Sequence, residues 1–333
     1  MSHASIVFSV LAIPFIAGCS LLTPVPEQDP PQTYYHAPVV DAASGTPVSL
    51  PQLAERLADQ DVVVIGEYHG HQGAHLLQSR LQAHLYRHRP DQVLTMEQFD
   101  VDQQPVLDQY LNGEIGEEEL IADAGAWPNY QHAYRPLVEF ARHRNLPVIA
   151  ANAPAGIVRC VGRNGTDYLD SLPEEHKRFL PESPFAGNEA YREKFLGVMG
   201  GRHGSADDER MQNTYNAQLL RDNTMASRIL EARESHPGHQ VIHLTGTFHS
   251  EERLGTVASL LQREPGLSVT VISPVFMGQP AGQHGRELPV ANNRRKGDYL
   301  YFLLPLPEEY RDEERGREAM MEQFRNAPKT TCK

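Results

Sequence analysis

The sequence is poor in several things. Its 333 residues hold three cysteines and one tryptophan, and no CxxC or Cys/His zinc spacing occurs. A disulfide scaffold and a structural zinc module are thereby excluded. Basic residues are also scarce: 30 Lys+Arg stand against 43 Asp+Glu, for a net charge of −13, and no basic cluster is longer than Arg294-Arg295-Lys296. Nucleic acid is therefore set aside as a partner, since its binding draws mainly on phosphate neutralisation. The one notable apolar stretch, Ile6 to Ala17, is too short to span a bilayer, which needs about 20 residues. Disorder along the whole chain and a fibrous repeat fail on composition, because 40% of residues are hydrophobic and only 22% are charged. What is left is a folded acidic protein, long enough for one large α/β domain or two smaller ones.

Ile6 to Ala17 reads as the core of a signal peptide over residues 1–18. Ile16-Ala17-Gly18-Cys19 matches the bacterial lipobox, in which the cysteine is acylated and becomes the first residue of the mature chain. Ser20 favours the outer membrane, although His3 is the only basic residue ahead of the core. An acylated Cys19 anchors the protein to outer-membrane lipid, facing the periplasm, without spanning. Residues 19–50 contain Pro24, Pro26, Pro30, Pro31, Pro38 and Pro47 and read as an extended tether. Export leaves Cys160 and Cys332 in an oxidising compartment, either paired with each other or as two free thiols.

From residue 51 to about 305, short apolar runs alternate with helical patterns. Val62–Ile65, Val93–Met96, Pro147–Ala151, Gln240–Thr245 and Ser268–Ile272 are strand-like, and helical spacing recurs at Leu77, Leu81 and Leu85, at Pro136–Arg144 and at Leu254–Leu261. The runs are continuously apolar rather than alternating, so both faces are covered, as in a mostly parallel sheet flanked by helices. Tyr299–Leu304 reads as a late edge strand. Residues 170–235 break the alternation and read as a helical insertion over the carboxyl ends of the strands, where open α/β sheets bind ligands. Residues 306–333 read as a charged terminal helix.

Two strands end alike: Ile65-Gly66-Glu67-Tyr68-His69 and Thr245-Gly246-Thr247-Phe248-His249. Glu97 and Asn152 end two others, so Glu67, His69, Glu97, Asn152 and His249 converge on one rim of the sheet. Two carboxylates and two imidazoles there suit a divalent metal and water activation, or a hydrogen-bonded structural cluster. On the helix near Glu209–Glu231, Met211, Tyr215, Gln218, Asp222, Met225 and Ile229 share one face. A buried Asp222 needs a partner, for which Arg221 and Arg135 are in view. Tyr215, Tyr130 or Tyr134 offers a phenolate to a ferric iron, one mode of haem ligation. The loop Met199 to Gly204 adds Arg202 and His203.

Taken together, the lipobox, Ile65-Gly66-Glu67-Tyr68-His69, Met96-Glu97-Gln98-Phe99, Trp127-Pro128-Asn129-Tyr130 through Tyr134-Arg135-Pro136-Leu137, Ala151-Asn152-Ala153-Pro154, Gln218 through Ala226 and Gly246-Thr247-Phe248-His249 resemble the ChaN haem-binding lipoproteins. The likeness runs from about 60 to 275 and departs where many relatives have a Gly-Asn-Gly-His turn. It implies haem as cofactor, a homodimer holding two haems face to face, tyrosine ligation and a part in haem or iron uptake. Kinship with TraB, TIKI and erythromycin-esterase proteins keeps a second reading open: a metal-dependent hydrolase or protease using Glu67, His69, Glu97 and His249. In the first reading the protein does no chemistry of its own, and the haem-binding residues come from Tyr215, Tyr130, Tyr134, His203, Met211, Gln218 and Arg135.

Overall fold

In the computed structural model, residues 30–203, 209–278, 288–326 and 331–332 are described. The expected signal peptide and Cys19 lie outside them. Eight strands form one sheet: β1 (Val39–Asp41), β2 (Pro47–Val48), β3 (Val62–Glu67), β4 (Gln92–Asp100), β5 (Val148–Asn152), β6 (Gln240–Gly246), β7 (Val269–Phe276) and β8 (Tyr299–Leu303). Their order is β2-β1-β8-β7-β3-β6-β4-β5. The six strands from β8 to β5 are parallel, and β1 runs antiparallel to both β8 and β2.

The continuous apolar runs have the reason expected of them. Along β3, Val63 and Ile65 point into a cluster with Leu53, Leu77, Leu81, Leu85, Leu137 and Val138, on helices Leu50–Arg56, Gln72–His88 and Arg135–Arg142. Val62 and Val64 point the other way, onto Ala226, Ile229, Val257 and Leu260 of helices Glu209–Ser235 and Gly255–Arg263. The period of two along a strand divides its side chains between two apolar layers. Helix Ala155–Asn164 extends the second layer by packing Val158 and Val161 against Ala217 and Leu220.

One feature differs from the sequence reading. The segment read as tether supplies β1 and β2, so β8 is an inner strand and not an edge. Each of these strands has only two or three residues, too short to show any periodicity. The helical insertion read over residues 170–235 is present: Glu189–His203 lies over the carboxyl ends of the strands, and Glu209–Ser235 packs with helices Ala155–Asn164 and Gly255–Arg263 and onto the sheet. Helix Glu313–Asn326 follows β8, and Cys332 closes a disulfide on Cys160, with Cα atoms 5.4 Å apart. No helix among the described residues is long and apolar enough to cross a membrane.

Candidate functional site

From β4 the chain winds on to β5, whereas from β6 it crosses β3 to reach β7 and β8. Winding thus reverses about the adjacent pair β3 and β6, and a crevice opens beyond the carboxyl ends of such a pair. Glu67 and Gly246 are register partners there. Gly246 lets the chains close in, since a Cβ on it would stand 2.7 Å from His69 Nε2.

Glu67 is fully buried and fully engaged. Its Oε1 accepts from the Tyr134 hydroxyl at 2.6 Å, His69 Nδ1 at 2.8 Å and Gln98 Nε2 at 3.2 Å, and its Oε2 accepts from Gln78 Nε2 at 2.7 Å. His75 Nδ1 stands 3.5 Å from the same Oε2. Burial works against ionisation, but the bonds from His69 and His75 outweigh it and hold this carboxyl below the usual glutamate range. With Nδ1 engaged, His69 keeps Nε2 toward the cavity.

A second pair faces the first. His249 Nδ1 bonds Asp222 Oδ1 at 2.8 Å, and Asp222 also accepts from Tyr191 at 2.7 Å and from Thr256 at 2.9 Å. Between the two pairs, Glu97 Oε2 accepts from Thr245 and from the Gly246 amide, each at 2.6 Å, and its Oε1 lies 3.5 Å from His249 Nε2. Burial disfavours the charged form of His249, but Glu97 and Asp222 more than offset that and raise its pKa. His69 is raised in the same way, by Glu67 and Glu97 against burial.

These groups floor a cavity of about 760 Å³, within the range of sites for small molecules and cofactors. Its walls include Tyr68, Phe195, Val198, Phe248, Phe276 and Leu306, with Lys296 beside them. Tyr68 stacks on Phe276 at 4.0 Å between centroids, and burial lifts its phenol to about 12.

Of the residues singled out from sequence, Glu67, His69, His249 and Gln218 line this cavity, and Glu97 underlies it. Tyr134 reaches Glu67 from the core side, Tyr130 is buried against Phe99, and Tyr215 packs among Tyr191, Phe195 and Leu219. None of the three is a lining residue. Met211 packs at the margin of the Tyr215 cluster, and Arg135 ion-pairs with Glu117, away from the cavity. Asn152 opens onto a different pocket. His203 ends helix Glu189–His203, and its side chain is outside the description. The expected partners of Asp222 are corrected: Arg221, next along the helix, is turned about 100° away, and the actual partners are His249, Tyr191 and Thr256. Sequence reading missed Tyr191, although its spacing to Phe195 marks an aromatic helical face. Tyr68 has no such signal beyond its place within the Ile65–His69 motif. Among the described residues no group of three or more His, Cys, Asp or Glu is arranged to hold a metal ion, and both carboxylate oxygens of Glu67 and Oε2 of Glu97 accept hydrogen bonds from within the protein.

Residues 53–260 match the family described as "Haem-binding uptake, Tiki superfamily, ChaN". The chain belongs to this family. No curated protein matches it. Among solved structures, ChaN of Campylobacter jejuni with cofacially bound haem superposes with TM-score 0.60 at 14% identity, over 83% of this chain and all of that one. This ChaN-type likeness establishes the fold. The type III effector HopBA1 follows at TM-score 0.44 and 12% identity, over 86% of this chain and all of the effector. A variant of the erythromycin esterase EreC in its open conformation gives TM-score 0.41 and 13% identity, over 80% and 82% of the two chains.

Proposed function

We propose that this protein binds haem in the cavity above Glu67 and His249 and serves haem or iron uptake from the outer membrane, held there by acyl chains on Cys19. The observation that carries the reading is the cavity itself: flat apolar walls from Phe195, Val198, Phe248, Phe276 and Leu306 beside a phenol, an imidazole with a free Nε2 and a lysine. Such a surface would suit an apolar macrocycle that bears carboxylates: the aromatic side chains would hold the ring and Lys296, which also pairs with Glu251, would receive a carboxylate. When bound, haem supplies a ferric centre that takes a phenolate or imidazole ligand. Tyr68 is the one tyrosine among the lining residues, so for the tyrosine ligation that the ChaN resemblance implies we propose Tyr68 as the ligand in place of Tyr130, Tyr134 and Tyr215. His69, oriented by Glu67 in the way carboxylates orient metal-bound imidazoles, stands beside it.

The apolar rim also supports a homodimer. Val198, Met199, Phe276 and Leu306 are each between 36% and 56% exposed and adjoin the same opening. A second copy seated there would cover them and bring two haems face to face, as the Campylobacter protein is described to hold them.

Titrating the protein lacking its first 19 residues with hemin should give a saturable phenolate-to-iron charge-transfer band that disappears in Tyr68→Phe. If the band survives in Tyr68→Phe, Tyr68 is not the ligand; an imidazole-type spectrum in wild type that has no phenolate band and is lost in His69→Ala identifies His69 instead. A spectrum that stays that of free hemin overturns the haem reading. Cys19→Ser should move the full chain from the membrane pellet to the soluble fraction at high salt, because an acylated cysteine is its only proposed attachment.

A further inference from the structure

A second pocket, of about 410 Å³, lies beyond the carboxyl ends of β4 and β5 and is lined by Gln98, Asp100, Trp127, Asn152, Arg159 and Arg221, among others. Two buried polar atoms of its lining residues are orphaned. Gln98 and Asn152 are 3% and 2% exposed, yet Gln98 Oε1 and Asn152 Oδ1 accept no hydrogen bond. A buried carbonyl oxygen without a donor costs about 1–3 kcal/mol, and native proteins leave few of them. The charges point the same way. Arg221 is half-buried and makes no hydrogen bond or ion pair among the described residues. Asp100 spends Oδ2 on the Ala155 amide, at 2.7 Å, at the start of helix Ala155–Asn164. Burial raises its pKa to about 6, against the pull of that amide and of Arg221, and a cationic neighbour would relieve this penalty.

The pocket therefore holds unmet acceptors and a carboxylate, which call for a cationic donor, together with a guanidinium that calls for an anion. A simple anion would leave Gln98 and Asn152 unmatched and face Asp100 and Asp102. A simple cation would leave Arg221 unmatched. We propose that this pocket binds a small zwitterion of the α-amino-acid class. The ammonium is received by Gln98 Oε1, Asn152 Oδ1 and Asp100, the carboxylate by Arg221 with Arg159 beside it, and the side chain lies along Trp127.

This pocket is separate from the haem cavity but adjoins it. Trp127 sets its ring edge-to-face on His69 at 4.9 Å, and the amide nitrogen of Gln98 donates to Glu67. The ligand thus meets the far side of two residues that hold the Glu67–His69 pair.

Trp127 is the only tryptophan of the chain, so its fluorescence reports on this pocket directly. The experiment uses the protein lacking its first 19 residues, without hemin, so that its outcome is independent of haem binding. Each proteinogenic amino acid is added singly at millimolar concentration while Trp127 emission and the melting temperature are followed. At least one should give a saturable emission change and a higher melting temperature. Arg221→Gln should weaken it about tenfold, the loss of one charged hydrogen bond, without lowering the melting temperature of the free protein. The N-acetylated and the amidated forms of the responding amino acid should each bind more weakly than the parent. If no amino acid produces a response, if Arg221→Gln binds as tightly as wild type, or if the blocked forms bind equally well, the proposal is overturned.

Discussion

Replacing Tyr134 with Phe removes one oxygen atom and tests whether Glu67 is held as a buried anion. The hydroxyl donates to Glu67 Oε1 at 2.6 Å from a fully buried ring. Hydrogen bonds to charged groups contribute about 1.5–3 kcal/mol. His69, Gln98 and Gln78 still serve the carboxylate after the substitution, so the loss should fall toward the lower part of that range, about 1.5–2 kcal/mol. The sign with pH follows from the direction of the shift. Glu67 has a folded-state pKa below the ordinary 4.5, so its ionic contribution is complete above 4.5 and is lost as pH falls through the folded-state value. Guanidinium unfolding of wild type and Tyr134→Phe should thus show the same difference at pH 7 and pH 6 and a shrinking one below 4.5. Hemin titration of the same variant should be unchanged, because Tyr134 lies behind the cavity floor. A difference below about 0.5 kcal/mol at pH 7, the size of ordinary surface effects, refutes the buried-anion reasoning, and loss of the hemin spectrum refutes the placement of Tyr134 outside the cavity.

Three further outcomes are expected. Gly255 sits at φ +53°, and a Cβ there would meet His249 O at 2.7 Å and Asp222 Oδ1 at 2.8 Å; Gly255→Ala should cost more than about 1 kcal/mol in urea unfolding, and a neutral result contradicts the packing of the Asp222–His249 pair. Cys332→Ser opens a disulfide spanning 172 residues and should lower stability by about 2–5 kcal/mol, a loss that reductant reproduces in wild type and leaves unchanged in the variant. In wild type the His249 ring should titrate above the ordinary 6.5 by NMR; its stabilising contribution is complete below 6.5 and is lost as pH rises through the folded-state value, and Asp222→Asn should shift the titration downward.

The strands of the sheet interior were legible because parallel strands between two helical layers must be apolar on both sides, as Val62–Ile65 shows. The rim of the site was legible for a related reason: residues that end adjacent parallel strands must share one edge, so Glu67, Glu97 and His249 meet wherever the loops lead. What escaped depends on tertiary contact. β1 and β2 are too short for a pattern and become strands only by pairing with β8. Asp222 was given cationic partners because charge is visible in a sequence, whereas its real partners are an imidazole, a phenol and a hydroxyl brought from three other segments. The three tyrosines named for haem were chosen by neighbourhood in sequence, and burial put each of them in the core. Tyr68 lies within the Ile65–His69 motif, but only its stacking on Phe276 places its ring in the cavity wall.

Haem binding at the apolar wall is tested most directly by a hemin titration of wild type beside Val198→Asp and Phe276→Asp. Both side chains are partly exposed and line the cavity, so Val198→Asp should fold and melt like wild type and Phe276→Asp, which loses the stack on Tyr68, should fold with a lower melting temperature, while each places a carboxylate against the ring. Desolvating that carboxylate costs several kcal/mol if it is covered, and affinity for hemin should fall by more than about tenfold in each variant. Equal hemin affinity in all three proteins, with folding intact, contradicts binding at this cavity.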